Sequence, residues 1–116
     1  QYFKMDLGAR TRIIAVEPAE SAVLSGENPG KHGIQGIGAG FVPAIYDAEL
    51  IDGIEKVSTD EAFELMRAVA KKTGISCGIS SGANLAAAIR IAKKLPAGST
   101  VTTVFPDRVD RYLSLL

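Results

Sequence analysis

Apolar positions along this chain fall into short continuous runs separated by stretches with helical spacing. Ile13-Ile-Ala-Val16 is a run of this first kind, closed by Glu17-Pro18, and it reads as a strand buried on both faces, as parallel strands are. Ser21 to Ser25 has room for a turn or two of helix, and Ala48 to Val57 predicts a helical turn followed by a strand around Ile54 to Val57. Ser58-Thr-Asp-Glu61 then forms a capping box, with a hydroxyl at the cap and a carboxylate three residues on. The helix it opens carries Ala62, Phe63, Leu65, Met66, Val69 and Ala70 on one broad apolar stripe. Lys71 and Lys72 stand at the negative end of its dipole, and Gly74 stops it.

The stretch Gly74-Ile-Ser-Cys-Gly-Ile-Ser-Ser-Gly-Ala-Asn84 predicts a strand over Ile75 to Ile79, a tight turn through Ser80, Ser81 and Gly82, and a helix running to Leu95. That helix is expected to bury Leu85, Ala88, Ile89, Ala92 and Leu95, to keep Arg90, Lys93 and Lys94 in water, and to end before Pro96. Val101 to Phe105 predicts a further strand closed by Pro106, and Asp107 to Leu116 a charged turn with a partly helical tail. Strand, helix, strand, helix, strand is the order of right-handed parallel crossovers, hence of an α/β fold with a mostly parallel sheet. Gln1 to Gly8 reads as the last turns of a helix entering the first strand, so the chain is expected to begin inside a larger fold.

Between the first two predicted strands the composition changes. Gly26 to Pro43 holds six glycines and two prolines, with His32 and Gln35 among them and almost no periodicity. A long irregular segment of this kind in a compact domain is functional or disordered. The 116 residues give room for one domain and exclude a second. Thirteen basic and thirteen acidic residues cancel and are interspersed, so no basic field for nucleic acid is present. Cys77 is the one cysteine, which excludes an internal disulfide, and the chain has neither a long apolar run nor a leader-like segment. These features predict a soluble protein of a reducing compartment such as the cytoplasm, without a membrane partner.

Candidate chemistry concentrates at the junction around Ser80. In open α/β sheets a strand-to-helix turn lies at the carboxyl edge of the strands, where ligands bind and the first helical amides point. Ser80 and Ser81 have two compatible readings, as a helix cap or as a neutral hydroxyl presented to a ligand. Gly33 to Phe41 is not a dinucleotide fingerprint, because no apolar strand precedes it and no helix follows Pro43. It reads either as a glycine-rich wall that lets backbone approach a small ligand, with Ile37 and Phe41 as apolar contacts, or as a flexible surface loop. Gly30-Lys31 is not a phosphate loop, since Ser25 stands where its first glycine belongs and His32 where its hydroxyl belongs. Cys77 reads as an inert buried thiol. His32 has no second ligand at metal spacing. Asp107, Arg108, Asp110 and Arg111 read as a solvated ion-pair cluster.

Four segments carry a resemblance: Ala15-Val-Glu-Pro18, Ile34-Gln-Gly-Ile-Gly-Ala-Gly-Phe41, Gly78-Ile-Ser-Ser-Gly-Ala83 and Arg111-Tyr-Leu-Ser114. In that order and spacing they resemble the carboxyl-terminal part of the cysteine synthases (O-acetylserine sulfhydrylases), pyridoxal-phosphate-dependent enzymes of the tryptophan synthase β-subunit type, or fold type II. The similarity extends over essentially the whole chain. It implies a partial three-layer α/β sandwich, with residues 1–116 forming the C-terminal portion of the large cofactor-binding domain and the small domain and N-terminal segments absent.

The resemblance also implies roles. Ser80 would hydrogen-bond the pyridine nitrogen of pyridoxal 5'-phosphate; a neutral serine there leaves the nitrogen unprotonated and favours elimination and replacement at the β-carbon over transamination. The implied reaction makes L-cysteine from O-acetylserine and sulfide, acetate leaving the β-carbon and sulfide taking its place. Gly36, Ile37, Gly38, Ala39, Gly40 and Phe41 match the loop beside the substrate cavity. Ile37, Ala39 and Phe41 also match the apolar side of the pocket that takes the C-terminal tail of serine acetyltransferase. The lysine that binds the cofactor covalently, the substrate-carboxylate loop and the phosphate cup have no matching motif here, so the chain alone is expected to be inactive. Asp107-Arg-Val-Asp110 replaces the serine or glycine-rich turn that relatives usually carry before their arginine-tyrosine pair. Uncovered apolar sheet edges predict self-association, as in a homodimer. Two other readings fit the same residues: a cystathionine β-synthase or a serine or threonine dehydratase of the same family, and a non-catalytic module that binds a partner's C-terminal peptide.

Overall fold

β-Branched residues form the first strand: β1 spans Ile14–Pro18 and pairs in parallel with β2, Gly53–Val57, from Ile14 opposite Gly53 to Pro18 opposite Val57. The structure, a computed structural model, describes Met5 and residues 10–110. The expected helical ending at Gln1 to Gly8, Met5 excepted, and the Arg111 to Ser114 motif with the rest of the tail lie outside the described residues. Because the two strands run in parallel, both carboxyl ends lie on one edge. The connection between them holds no α-helix, only short 3-10 turns at Ala19–Ser21, Val23–Ser25 and Ala48–Leu50. The rest of it, including the glycine-rich segment, is irregular, as its lack of periodicity implies.

Helix α1 spans Thr59–Thr73 and follows the sequence closely. Ser58 caps it by accepting from the Glu61 N–H at 3.2 Å, and Gly74 ends it in the left-handed conformation, its N–H donating to Ala70 O. Ala62, Met66 and Val69 are buried and Phe63 and Leu65 pack beside them, whereas Ala70 is exposed. Helix α2 spans Ile79–Lys93 and departs from expectation in two respects. It starts at Ile79, capped by Gly78 without any side-chain hydrogen bond, so Ser80 and Ser81 belong to its first turn and cap nothing. Its buried face is Ile79, Ser80, Ala83, Ala86 and Ala87; Leu85 and Ala88 are half-buried, and Ile89 and Ala92 are exposed.

The reason is the distance between the helices. A Cβ on Gly82 would lie 2.0 Å from Ala62 O and 3.0 Å from Met66 N, so the two backbones touch. Only glycine fits at that point, with alanines on the turns beside it, and the larger side chains of α2 are displaced to its flanks. Arg90 then ties α2 to both neighbours: it donates to Lys56 O at 2.6 Å and to the Glu61 carboxylate, and pairs with Glu55 at 3.6 Å.

Two predicted strands do not form among the described residues. Ile75 is 51% exposed, and only Cys77 pairs, in a single antiparallel bridge to Arg108. Val101 to Phe105 is an exposed stretch without strand pairing, tethered by Asn84 Nδ2 donating to Val104 O at 2.9 Å. An apolar run becomes a strand only beside a partner ladder, and no described strand lies next to either segment. What remains is an α/β unit: a parallel pair, two helices packed on each other, and one core of Ile34, Val57, Ala62, Met66, Ile79 and Ala83 with their neighbours.

Replacing Gly82 with alanine forces a methyl group into the Ala62 carbonyl. We expect it to lower stability by about 2 kcal/mol or more, measured by urea unfolding, with α2 loosened from α1 in hydrogen exchange.

Candidate ligand site at the carboxyl edge of the sheet

The carboxyl ends of β1 and β2 are covered by the glycine-rich loop. Gly33 N–H donates to Thr59 Oγ1 at 2.9 Å, just beyond β2, and a Cβ on Gly38 would lie 2.4 Å from Pro18 Cγ, the last residue of β1. Ile34 is fully buried and Ile37 half-buried, both against the core that contains Ile79 of α2. Gly36 and Ala39 are exposed, and Phe41 is 64% exposed. The loop thus turns Ile34 and Ile37 into the core and Gly36, Ala39 and Phe41 toward solvent, and of the three apolar positions singled out in the sequence Ile37 faces inward.

Acidic side chains at the end of β1 and just beyond it hold this edge together. The buried Glu17 carboxylate accepts from Leu24 N–H at 2.8 Å, Ser25 N–H at 3.1 Å and the Ser25 hydroxyl, which folds the chain back after Pro18. Glu20 accepts from Thr59 N–H at 2.7 Å. Together with Ser58 it satisfies the amides that open α1 and places negative charge at the positive end of the helix. Burial pushes the Glu20 carboxyl up, but the bonds from Thr59 outweigh it, and the net displacement is below the usual glutamate value.

The second part of the site is the start of α2. Asp107 crosses it: Gly78 N–H donates to Asp107 O at 2.8 Å, the Ser80 hydroxyl donates to Asp107 Oδ1 at 3.2 Å, and the Ser81 hydroxyl reaches Asp107 O at 3.5 Å. Gly78 makes this possible, because a Cβ there would lie 2.0 Å from Asp107 Oδ1. Ser80 is 2% exposed. The open corner expected from sequence is therefore closed in this structure by a carboxylate lying on the first turn of the helix, a favourable place for negative charge. A cleft of about 770 Å³ lies elsewhere, between β1, the outer face of α2 and Thr100 to Thr103, with Ile14, Val16, Ala88 and Ile91 in its walls.

Cys77 is buried beside this turn, its thiol pushed up mainly by burial, against a backbone hydrogen bond that lowers it, with a smaller push up from the nearby Asp107 charge. Arg108 and Asp110 form an exposed pair at 3.5 Å, but Asp107 turns inward, which corrects its reading as part of a solvated cluster. Asp107, Glu17 and Glu20 were the residues that sequence reasoning missed. The available signal for Asp107 was its departure from the serine or glycine-rich turn of relatives. None existed for Glu17 and Glu20.

The sequence profile of the family described as "Pyridoxal-phosphate dependent enzyme" matches residues 1–107. The chain belongs to that family. A cysteine synthase of Staphylococcus aureus (strain Mu50 / ATCC 700699) is 54% identical over 102 residues, covering 88% of this chain and 33% of the relative. The solved structure of a cysteine synthase from Entamoeba histolytica superposes with a TM-score of 0.89 at 47% identity, over 96% of this chain and 33% of the other. That of an O-acetylserine-dependent cystathionine β-synthase from Helicobacter pylori gives 0.88 at 48% identity, over 97% and 36%. The chain spans about one third of the length of the curated relatives it matches.

Glu20 links this edge to pH. Its folded-state pKa is lowered, so its contribution to stability is present above the unfolded glutamate value and is lost as pH falls through the lower folded value. Acid unfolding of Glu20→Gln should lack that component, giving a shallower fall of stability below about pH 4.5 than the parent chain when melting is followed against pH.

Proposed function

We propose that this chain forms the C-terminal portion of the large cofactor-binding domain of a cysteine synthase, the intact enzyme making L-cysteine from O-acetylserine and sulfide. The observation that carries this is the 54% identity to a cysteine synthase across the segment that contains both the loop over the strand ends and the first turn of α2. In this reading pyridoxal phosphate supplies the electron sink for β-replacement. Ser80 holds its ring nitrogen, and the donor set fits, since a hydroxyl is both donor and acceptor. The single proton of Ser80 lies toward Asp107 Oδ1, an oxygen that only accepts when ionised. Donation to an unprotonated ring nitrogen therefore competes with Asp107, so Ser80 would have to turn its proton from Oδ1 toward the ring to hold it.

Gly36, Gly38 and Gly40 let backbone approach the substrate, Ala39 and Phe41 form the exposed apolar side of the loop, and Ile37 backs it from the core. The exposed Phe41 and Ala39 also suit the C-terminal tail of serine acetyltransferase. Exposed Val101, Val104 and Phe105 suit the homodimer contact expected from the sequence. Among the described residues no helix is long and apolar enough to cross a membrane, and we place the enzyme in the cytoplasm. A second reading, cystathionine β-synthase activity using O-acetylserine, is favoured by the 48% identity to the Helicobacter pylori protein with that description.

The test is an assay of the intact enzyme, loaded with pyridoxal phosphate, for cysteine formed from O-acetylserine and sulfide. Cysteine formation is the expected result, and a product formed only with homocysteine in place of sulfide would transfer the assignment to the second reading. Ser80→Ala should weaken cofactor binding about tenfold, the effect of one lost hydrogen bond, in a fluorescence titration.

A further inference from the structure

His32 is the one histidine in the sequence, and both of its ring nitrogens are engaged at the glycine-rich loop. Nδ1 accepts from Ile34 N–H at 3.1 Å, which requires it to be unprotonated. Nε2 lies 2.7 Å from Gly38 O, which only accepts, so Nε2 carries the proton. The ring is therefore neutral and of one tautomer, and it bridges the loop from its entry to Gly38. Gly38 is confined there: its φ is +65°, and a Cβ would lie 2.4 Å from Pro18 Cγ and 2.6 Å from His32 Nε2. Ile34, at the other end of the bridge, is anchored in the core.

We propose that His32 is the positioning residue of this loop: its neutral ring latches Ile34 to Gly38, and a second proton, on Nδ1, releases the latch. Protonation turns the acceptor facing Ile34 N–H into a donor, so two N–H groups oppose each other and the loop loses the bond that sets its entry. Glu20, from the turn after β1, is the carboxylate whose charge acts on the ring, and it is already committed to Thr59 N–H. Lys31, preceding it in the chain, is exposed, and Asp60 and Glu61 sit in the first turn of α1, whose Thr59 holds Gly33. Only the functional meaning of the loop rests on the cysteine synthase reading; the latch itself needs neither cofactor nor substrate to be measured.

The experiment is long-range 1H–15N correlation of the histidine ring between about pH 8 and about pH 5, the span in which imidazoles titrate, with hydrogen exchange of the loop amides in parallel. The expected result is the Nε2–H tautomer at the upper end. Exchange of the Ile34 to Gly40 amides, relative to those of α1, should rise about tenfold on protonation. His32→Gln places an amide donor near Gly38 O and does not titrate, so its loop exchange relative to that of α1 should be flat across the same range. An Nδ1–H tautomer at the upper end, or a rise that persists in the glutamine variant, overturns the proposal. Should that variant fail to fold, the tautomer and pH profile of the parent protein decide. A negative cysteine synthase assay alongside the expected ring signals would remove the functional reading and leave the latch.

Discussion

Two parallel strands with adjacent carboxyl ends impose a constraint that the rest of this molecule answers. The edge they share also receives the start of α1, whose first amides have no partners within the helix. Glu20 and Ser58 supply those partners, Thr59 returns a bond to Gly33, and the glycine-rich loop is drawn down over Pro18 and Val57. Without the parallel register there would be no common edge. Without the acidic and hydroxyl groups beyond it, the loop would have nothing to fold against.

The core extends this arrangement to α2. Ile34 and Ile37 come from the loop, Val57 from β2, Ala62 and Met66 from α1 and Ile79 and Ala83 from α2. Moving either helix therefore moves the loop. Gly82 brings the backbones of α1 and α2 into contact, and the same close approach brings Ser80 and Ser81 into the buried side of α2. A hydroxyl in that position needs a polar partner. Asp107 provides one, fitted over Gly78, which joins the residue chosen from sequence as the ligand contact to a carboxylate read from sequence as a solvated ion pair.

The family assignment and the geometry bear on different parts of the functional argument. Similarity to cysteine synthases covers one third of their length, so the proposed reaction belongs to the intact enzyme, to whose site this chain would contribute one wall. That wall has two components of different chemistry: a buried hydroxyl and carboxylate at the start of α2, and a backbone-rich loop bridged by the His32 ring. The first is suited to holding a heteroaromatic nitrogen. The second is suited to close approach by a small substrate or a chain terminus.

Local chemistry determined much of this in advance. The capping box of Ser58, the glycine stop at Gly74, the apolar stripe of α1 and the run from Ile13 to Val16 were legible because each depends on neighbours a few residues away. The irregular Gly26 to Pro43 segment was legible for the same reason. Tertiary structure alone decided the rest. Val101 to Phe105 has strand composition but no ladder beside it, the buried face of α2 was chosen by the contact of Gly82 with Ala62, and Asp107 met Ser80 across a separation in sequence that no periodicity records. In each case the deciding quantity is a distance between segments far apart in the chain, and residue spacing carries information only about segments that are close.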